Sequence, residues 1–435
     1  MSTGFQIRQL IKQAVQNVVL PVCYRVFRAQ AVDPKLVVFA DAHHTDRPAA
    51  MELLYRKLEK SGEFRIVEHY LDYGEAGALE VARHSVSFMK LYARAGCVVI
   101  CDNFLPAASC RKRRETKVIQ LWHACGCYKR FGYDAPDDIP KNYHGANVYR
   151  NADLVTVSGN AAVKAFASAM RLPERCVKPL GVSRTDLYFN RKWQERCRER
   201  FCERYPGSMH SDAFSADKGR RQKGMAQTDL IPHTEDAAHG RVMNTAAGRK
   251  KIVLWAPTFR GNAGVPELIS LDLASLQAEL GDEYLVLARL HPHMQRMLKA
   301  SSLKIEQFLC DIPTEELYPV VDVLIADYSS LVYEYLLFRK PVVMYVPDLE
   351  EYRSRRGFYM QIEEIPGRIV IREEELADAV RAAAVSQKEA AGSISRGEYS
   401  EDSKRPDEFL GSYMGACDGH ATERIVKWMR ENMVN

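Results

Sequence analysis

The sequence predicts an α/β protein built from two doubly wound, parallel-sheet domains. Two observations carry that prediction. From Lys35 onward, short β-branched runs ending in polar or small residues alternate with longer stretches of helical period. Those runs are almost continuously apolar, the pattern of strands covered on both faces. Four lie at 36–41, 97–102, 117–124 and 153–159, and four more at 251–258, 284–292, 322–330 and 341–346. The 435 residues are 46% apolar, enough for two to three cores at roughly 150 residues per domain.

The chain opens on a segment without acidic side chains, from Gly4 to Gln30. Phe5, Ile7, Leu10, Ile11, Ala14, Val15, Val18 and Val19 recur at three- and four-residue steps, which predicts an amphipathic helix with a basic and glutamine face. Pro21 is expected to kink or end it. Such a helix over residues 1–30 suits an anionic membrane surface, and packing on its own domain is the competing use. Polar interruptions and the lack of a small-residue cleavage site disfavour a secretory signal.

The first domain is expected over 31–180 and the second over 181–415, followed by a closing amphipathic helix within 416–435 that runs from about Ala421 to Met433. The second domain is interrupted at 206–248 by a Gly-, Ser- and charge-rich stretch that reads as a mobile insertion. Its histidines, His210, His233 and His239, are irregularly spaced, as solvated loop residues are. A second polar stretch runs from Ser386 to Arg405.

Several function classes are excluded. With 61 Lys and Arg against 56 Asp and Glu, the net charge of +5 is too small for a nucleic-acid binder of this length. Eleven cysteines without a C-x-x-C pair predict neither a zinc ribbon nor a disulfide scaffold, and they fit a reducing compartment. No apolar stretch approaches the ~18 to 20 residues that span a bilayer.

In open α/β sheets ligands bind at the carboxyl ends of the strands. Four strand ends carry unusual residues here. His123 leaves a buried strand into a Gly-containing turn, with Lys129 and Arg130 beyond it; histidine is a general-base residue type, and a core histidine bonded to backbone is the alternative. Arg289, His291 and His293 leave another strand at Pro292, a group that suits an oxyanion. An H-x-H pair alone lacks the further ligands of a metal site. A third strand ends in Asp327, and Ser329 and Ser330 open the next helix; serines there cap a helix or bind pyrophosphate. Arg353, Arg355, Arg356, Phe358 and Tyr359 surround Gly357 in the fourth, a solvated charge run or a loop touching an anionic ligand.

At QLWHACG (120–126), ADLVTVSG (152–159), LGVSRTDLYF (180–189), VLWAPTFRGN (253–262), RLHPHM (289–294), DVLIADYSS (322–330), DLEEYRSRRGFY (348–359) and DGHATERIV (418–426), the chain resembles the CDP-glycerol glycerophosphotransferases, which build teichoic acids and related polymers in bacteria. The motifs run in family order over most of 117–435, and the first hundred residues match loosely. The resemblance implies a GT-B fold, with two Rossmann-like domains facing a cleft. It implies transfer of glycerol phosphate or ribitol phosphate from CDP-glycerol or CDP-ribitol to a hydroxyl of a lipid-linked saccharide or a polymer, with release of CMP. No metal or other cofactor is implied, and the place of work would be the cytoplasmic face of the bacterial membrane. By the same resemblance His123 is the general base and His291 steadies the pyrophosphate or the departing CMP. Arg289, Ser329, Ser330, Arg356 and Arg260 would bind the donor phosphates, and Thr258, Pro292, Asp327 and Gly357 complete the donor-site candidates.

One departure stands out. The family has Gly then Thr or Ser after the first histidine, whereas Ala124 and Cys125 stand here and Gly126 follows late. Cys125 as a covalent nucleophile is a minor alternative. A glycosyltransferase using a nucleotide sugar would share the fold but need carboxylates for the sugar, for which Glu334 and Asp348 are the candidates. A non-catalytic scaffold of a polymer-assembly complex is the remaining class.

Overall fold

The computed structural model describes residues 13–136, 138–139, 145–208, 249–258, 260–262, 265–267, 269–290, 305–385 and 401–433. Most of the expected insertion (from 209 to 248), residues 386–400 of the second polar stretch, and His291, Pro292 and His293 lie outside them.

The chain divides into two compact units. Unit 1 is Met1–Leu187 with Gly411–Asn435, and unit 2 is Tyr188–Leu410. The boundary thus falls seven residues later than the expected 180, and the closing helix belongs to the first unit with the segment that leads into it.

Unit 1 holds a six-stranded sheet. Its strands are β1 (Asp33–Asp41), β2 (Arg65–Tyr70), β3 (Ala95–Ile100), β4 (Lys117–Gln120), β5 (Leu154–Thr156) and β6 (Val177–Lys178). They lie in the order β2-β1-β3-β4-β5-β6, all parallel. Successive side chains of a strand point to opposite faces. In β1, Val37 and Phe39 join one core with Met51, Leu54 and Leu58 of the helix Ala49–Ser61 and with Ile425 and Met429 of the helix Ala421–Met433. Leu36, Val38 and Ala40 join the other core with Phe88, Met89 and Tyr92 of the helix Ala78–Tyr92 and with Leu20 and Tyr24 of the first helix. Each fully buried leucine of this kind contributes about 1.5–3 kcal/mol. The closing helix docks through Asp186, which is buried and accepts hydrogen bonds from the N–H groups of Ala421 (3.0 Å) and Thr422 (2.8 Å). Gly181, with φ of 89°, lets the chain pass there, since a Cβ would meet the Ala416 carbonyl oxygen at 2.2 Å.

The first helix departs from expectation in two ways. Pro21 does not end it: a π-helical turn at Val15–Val19 runs directly into the α-helix at Leu20–Phe27 that carries the proline near its start, and such a turn changes the hydrogen-bond pattern just ahead of the missing N–H. The face that packs is also different. Gln16, Leu20 and Tyr24 are buried, while Val18, Val19, Val22 and Val26 are 42–66% exposed.

Unit 2 holds a five-stranded parallel sheet in the order β10-β7-β11-β12-β13. Its strands are β7 (Lys251–Ala256), β10 (Tyr284–Ala288), β11 (Val323–Ala326), β12 (Val342–Tyr345) and β13 (Arg368–Val370). A short antiparallel hairpin, β8 (Arg260–Asn262) and β9 (Val265–Glu267), follows β7. One core packs Val253, Trp255, Val286, Val323 and Val343 against Leu273, Leu276 and Leu280 of the helix Leu273–Leu280. No helix among the described residues is long and apolar enough to cross a membrane.

Candidate active site

The sheet order of unit 1 reverses between β1 and β3, and the carboxyl edge at such a reversal is where open α/β sheets take ligands. Asp102 follows β3 and His123 follows β4, strands that pair with Ile100 opposite Gln120. Asp102 Oδ2 lies 3.2 Å from His123 Nδ1. The Asn103 N–H donates to Asp102 Oδ1 at 2.6 Å, and Gln120 ties the two strand ends by donating to the Asp102 carbonyl (2.9 Å) and accepting from the Trp122 N–H (3.0 Å). Burial works against the Asp102 charge, but the hydrogen bond and charge of His123, the charge of His43 and the Asn103 N–H pull its pKa down to about 2. The carboxylate therefore stays ionised and holds the imidazole by Nδ1, while the ring is half exposed. An imidazole so held can take a proton at Nε2.

The turn carrying His123 is unusual. Trp122 has φ of 58°, a left-handed conformation that side chains other than glycine seldom adopt. Its ring stacks on that of His123 at 4.5 Å. Gly126 supplies a second positive φ, 65°, and its N–H donates to Ser158 Oγ at 2.8 Å. Cys125, where the family has Thr or Ser, is 1% exposed. A thiol shut away there is a packing group, which counts against a nucleophilic role.

The strand ends of unit 2 gather a different set. Asp327, after β11, accepts the Thr258 N–H on both oxygens (2.9 and 3.0 Å) and pairs with Arg260 Nη1 at 2.8 Å. The same guanidinium meets Asp348 through Nε (2.7 Å) and Nη2 (3.1 Å). It also lies 4.6 Å from the Tyr328 ring and 5.0 Å from that of Tyr352. Burial opposes the Arg260 charge, and the hydrogen bonds and charges of Asp348 and Asp327 more than offset it, raising its pKa above the usual value. At 10% exposure this side chain lies between two carboxylates and is engaged by both. Arg260 ties the β7, β11 and β12 ends together. Sequence shows the charge but not its partners.

The other donor-site candidates stand as follows. The hydroxyl of Ser330, at the head of the helix Leu331–Leu336, makes no cap bond, and Ser329 Oγ accepts the Leu331 N–H only at 3.4 Å. The Thr258 hydroxyl is buried and lacks a hydrogen-bond partner among the described residues. Arg289, half-buried, reaches the Cys310 carbonyl at 2.8 Å. Arg356 and Gly357, the latter with φ of 76°, end the helix Leu349–Arg355. Phe358 stacks on Tyr352 at 5.7 Å and so belongs to the aromatic stack behind Arg260. The carboxylates a nucleotide sugar would need are taken: Glu334 is 3% exposed and bonded to the Tyr188 hydroxyl, and Asp348 is held by Arg260 and by the Tyr328 hydroxyl. The described residues contain no group of His, Cys, Asp and Glu arranged to hold a metal ion.

Two parallel-sheet units, one with an acid-held histidine beside its switch point and the other with a hydroxyl-bearing strand edge, define an α/β group-transfer enzyme of the GT-B class. The family profile described as CDP-glycerol:poly(glycerophosphate) glycerophosphotransferase matches residues 22–213 and 202–429, and the chain belongs to that family. It is 30% identical over 392 residues to the teichoic acid ribitol-phosphate primase of Bacillus spizizenii, covering 86% of each chain. It is 27% identical over 297 residues to the teichoic acid glycerol-phosphate primase of Bacillus subtilis, covering 65% of each. The wall teichoic acid polymerase TagF has the same fold, with a TM-score of 0.65 at 19% identity over 100% of this chain and 99% of that one.

Proposed function

We propose that the protein transfers a polyol phosphate, glycerol or ribitol phosphate, from its CDP ester to a hydroxyl of a lipid-linked saccharide or polyol-phosphate polymer. The acceptor oxygen attacks the phosphorus next to the polyol. The bond from that phosphorus to the bridging oxygen breaks, CMP leaves with the electron pair, and the acceptor proton passes to His123 Nε2. The observation that carries this reading is the Asp102–His123 pair: a carboxylate that stays ionised fixes the tautomer in which the outer nitrogen is basic. Phosphoryl transfer otherwise needs positioning and charge neutralisation. Arg289, Arg356, the Ser329 and Ser330 hydroxyls and the orphan Thr258 hydroxyl are the groups proposed for that task on unit 2, with His291 beside them in sequence.

The acceptor's lipid suggests the site of work, the inner face of the cell membrane. Support for peripheral attachment comes from the exposed valines of the first helix and from the loop Arg111–Arg114 docked against it. The Arg113 N–H donates to the Tyr24 hydroxyl at 3.0 Å, and the Arg113 guanidinium bonds the Arg28 carbonyl. Arg25 and Arg28 of that helix and Arg111 and Arg114 of the loop are exposed, and cations together with exposed apolar side chains suit anionic headgroups over acyl chains.

The test is CMP release from CDP-glycerol, CDP-ribitol and UDP-sugars with wild type and His123→Ala, using teichoic-acid-bearing membranes as acceptor. CMP from one CDP-polyol, reduced by about 10² to 10⁴ in the variant, is the expected result. Turnover of a UDP-sugar, or equal CMP release by the variant, would overturn it.

A further inference from the structure

A second acid–histidine pair stands on the same sheet edge. Asp41 ends β1, is 1% exposed, and accepts from the His43 N–H at 2.7 Å and from His44 Nδ1 at 2.8 Å through Oδ2. Its other oxygen faces Cys101 Sγ at 3.7 Å, and Cys101 is the neighbour of Asp102 in the chain. The two pairs thus flank the switch point between β1 and β3, joined through Cys101. The His44 side chain is 52% exposed, so with Nδ1 held inward its Nε2 is left for solvent or a ligand. The hydrogen bond to Asp41 raises the His44 pKa against the opposing effect of burial, with help from the charges of Asp41, Asp102 and Asp72. The Arg184 guanidinium is near enough to oppose the upward push that burial and the two aspartates exert on the Cys101 thiol, so it adds positive charge to this edge.

The electrostatics of this edge set a requirement. Asp41 and Asp102 together would repel an anionic acceptor from the Asp102–His123 base unless cations stand nearby. An acceptor that ends in a polyol phosphate, one of the two in the proposed reaction, carries a phosphate a few atoms from its attacking hydroxyl. We propose that His44, held by Asp41, is a binding subsite for that acceptor phosphate, distinct from the donor's pyrophosphate site on unit 2. This rests on the transferase reading for its substrate but on unit 1 geometry for its location. Asp41 keeps its bond to the His43 N–H when the His44 ring is altered, so the loop retains one of its two ties.

The experiment uses the full chain and two acceptors, one ending in a polyol phosphate and its dephosphorylated counterpart. In His44→Gln the KM for the phosphate-bearing acceptor rises about tenfold, while the donor KM, kcat and the unfolding midpoint stay near wild type and the neutral acceptor is unaffected. His44→Arg, which places a fixed cation and phosphate-binding donors there, recovers most of the loss. Equal losses on both acceptors, a raised donor KM, or a fall in midpoint without discrimination between acceptors would overturn the subsite. An NMR titration of the His44 imidazole with glycerol 3-phosphate reads binding without turnover. A saturable shift, weakened by Asp41→Asn, supports the subsite even if no CMP is released, an outcome that would sink the transferase reading alone. Absence of a saturable shift in a protein that does release CMP overturns the subsite alone. An equal shift with phosphatidylglycerol vesicles would assign the histidine to lipid headgroups and overturn the acceptor role.

Discussion

The Asp102 carboxylate stands 3.2 Å from Nδ1 of His123, each residue supplied by the end of a neighbouring strand. The pairing fixes which imidazole nitrogen faces outward, and that is its expected contribution to turnover. Asp102→Asn keeps the size of the side chain but favours the wrong tautomer by offering an N–H where a carboxylate oxygen stood. The variant is expected to lose roughly 10- to 10⁴-fold in kcat with the donor Kd unchanged, bounded by the loss in His123→Ala. Single-turnover kinetics beside a donor-binding isotherm separate the two quantities, and a variant with wild-type kcat would remove Asp102 from the mechanism.

The same carboxylate has a signature in stability. Its folded-state pKa, about 2, lies below the ordinary 3.8. A depressed carboxylate pKa contributes stability above the unfolded value that is lost as pH falls through the folded value, here between about pH 4 and 2. The contribution is on the order of 2 kcal/mol. Urea unfolding of wild type and Asp102→Asn is expected to show a difference at pH 5 that shrinks as pH drops from about 4 toward 2. A difference that persists unchanged to pH 2 would contradict the assignment.

Arg260 tests whether a buried guanidinium in unit 2 binds substrate or holds the strand ends. Arg260→Met leaves Asp327 and Asp348 without their shared cation, and breaking one side of a buried ion pair costs about 3–5 kcal/mol. Asp348 is the more exposed of the two, which places the expected cost toward the lower end. The melting temperature should fall clearly, and Arg260→Lys, which cannot bridge both carboxylates with the same fork, should recover only part. A variant with wild-type stability and a raised donor KM would return Arg260 to the phosphate.

What the sequence reveals about this protein is set by range. The eight strands with continuous apolar runs were readable because burial on both faces marks each one locally. Of the two parallel sheets, strands β2, β6 and β13 escape that reading: Arg65, Glu68, His69 and Arg368 are edge-strand residues that spoil a continuous run, and β6 is only two residues long. His123 is legible because an imidazole leaving a buried strand suggests acid–base chemistry by itself, whereas Asp102 at the end of an apolar run carries no mark of a partner. Only the pairing of β3 with β4 makes them partners. The motifs 180–189 and 418–426 carry no visible function in sequence, and the structure explains why: Asp186 caps the helix that begins at Ala421, so both serve the docking of the chain's last segment. Asp41 and His44 pass unremarked in sequence because their significance lies in a neighbouring strand.

The first helix yields a prediction that depends on which of its faces is buried. Deleting residues 1–30 would remove Leu20 and Tyr24 from the unit 1 core along with the surface under test, so loss of membrane binding after deletion would not distinguish attachment from unfolding. Val18, Val22 and Val26 offer a cleaner probe, being exposed on the helix while Leu20 and Tyr24 face inward. Replacing all three with serine removes apolar area from the exposed face at little cost to folding, since little of it is buried in the unit. Replacing Arg111 and Arg114 with glutamine removes about 1 kcal/mol of headgroup attraction per charge. Sedimentation with phosphatidylglycerol vesicles is expected to fall in both variants and furthest in their combination, and salt should weaken the serine variant, which retains the arginines, more than the glutamine variant. CMP release with a water-soluble acceptor should stay near wild type in all of them. Undiminished sedimentation of the combined variant would show that this face does not meet the membrane.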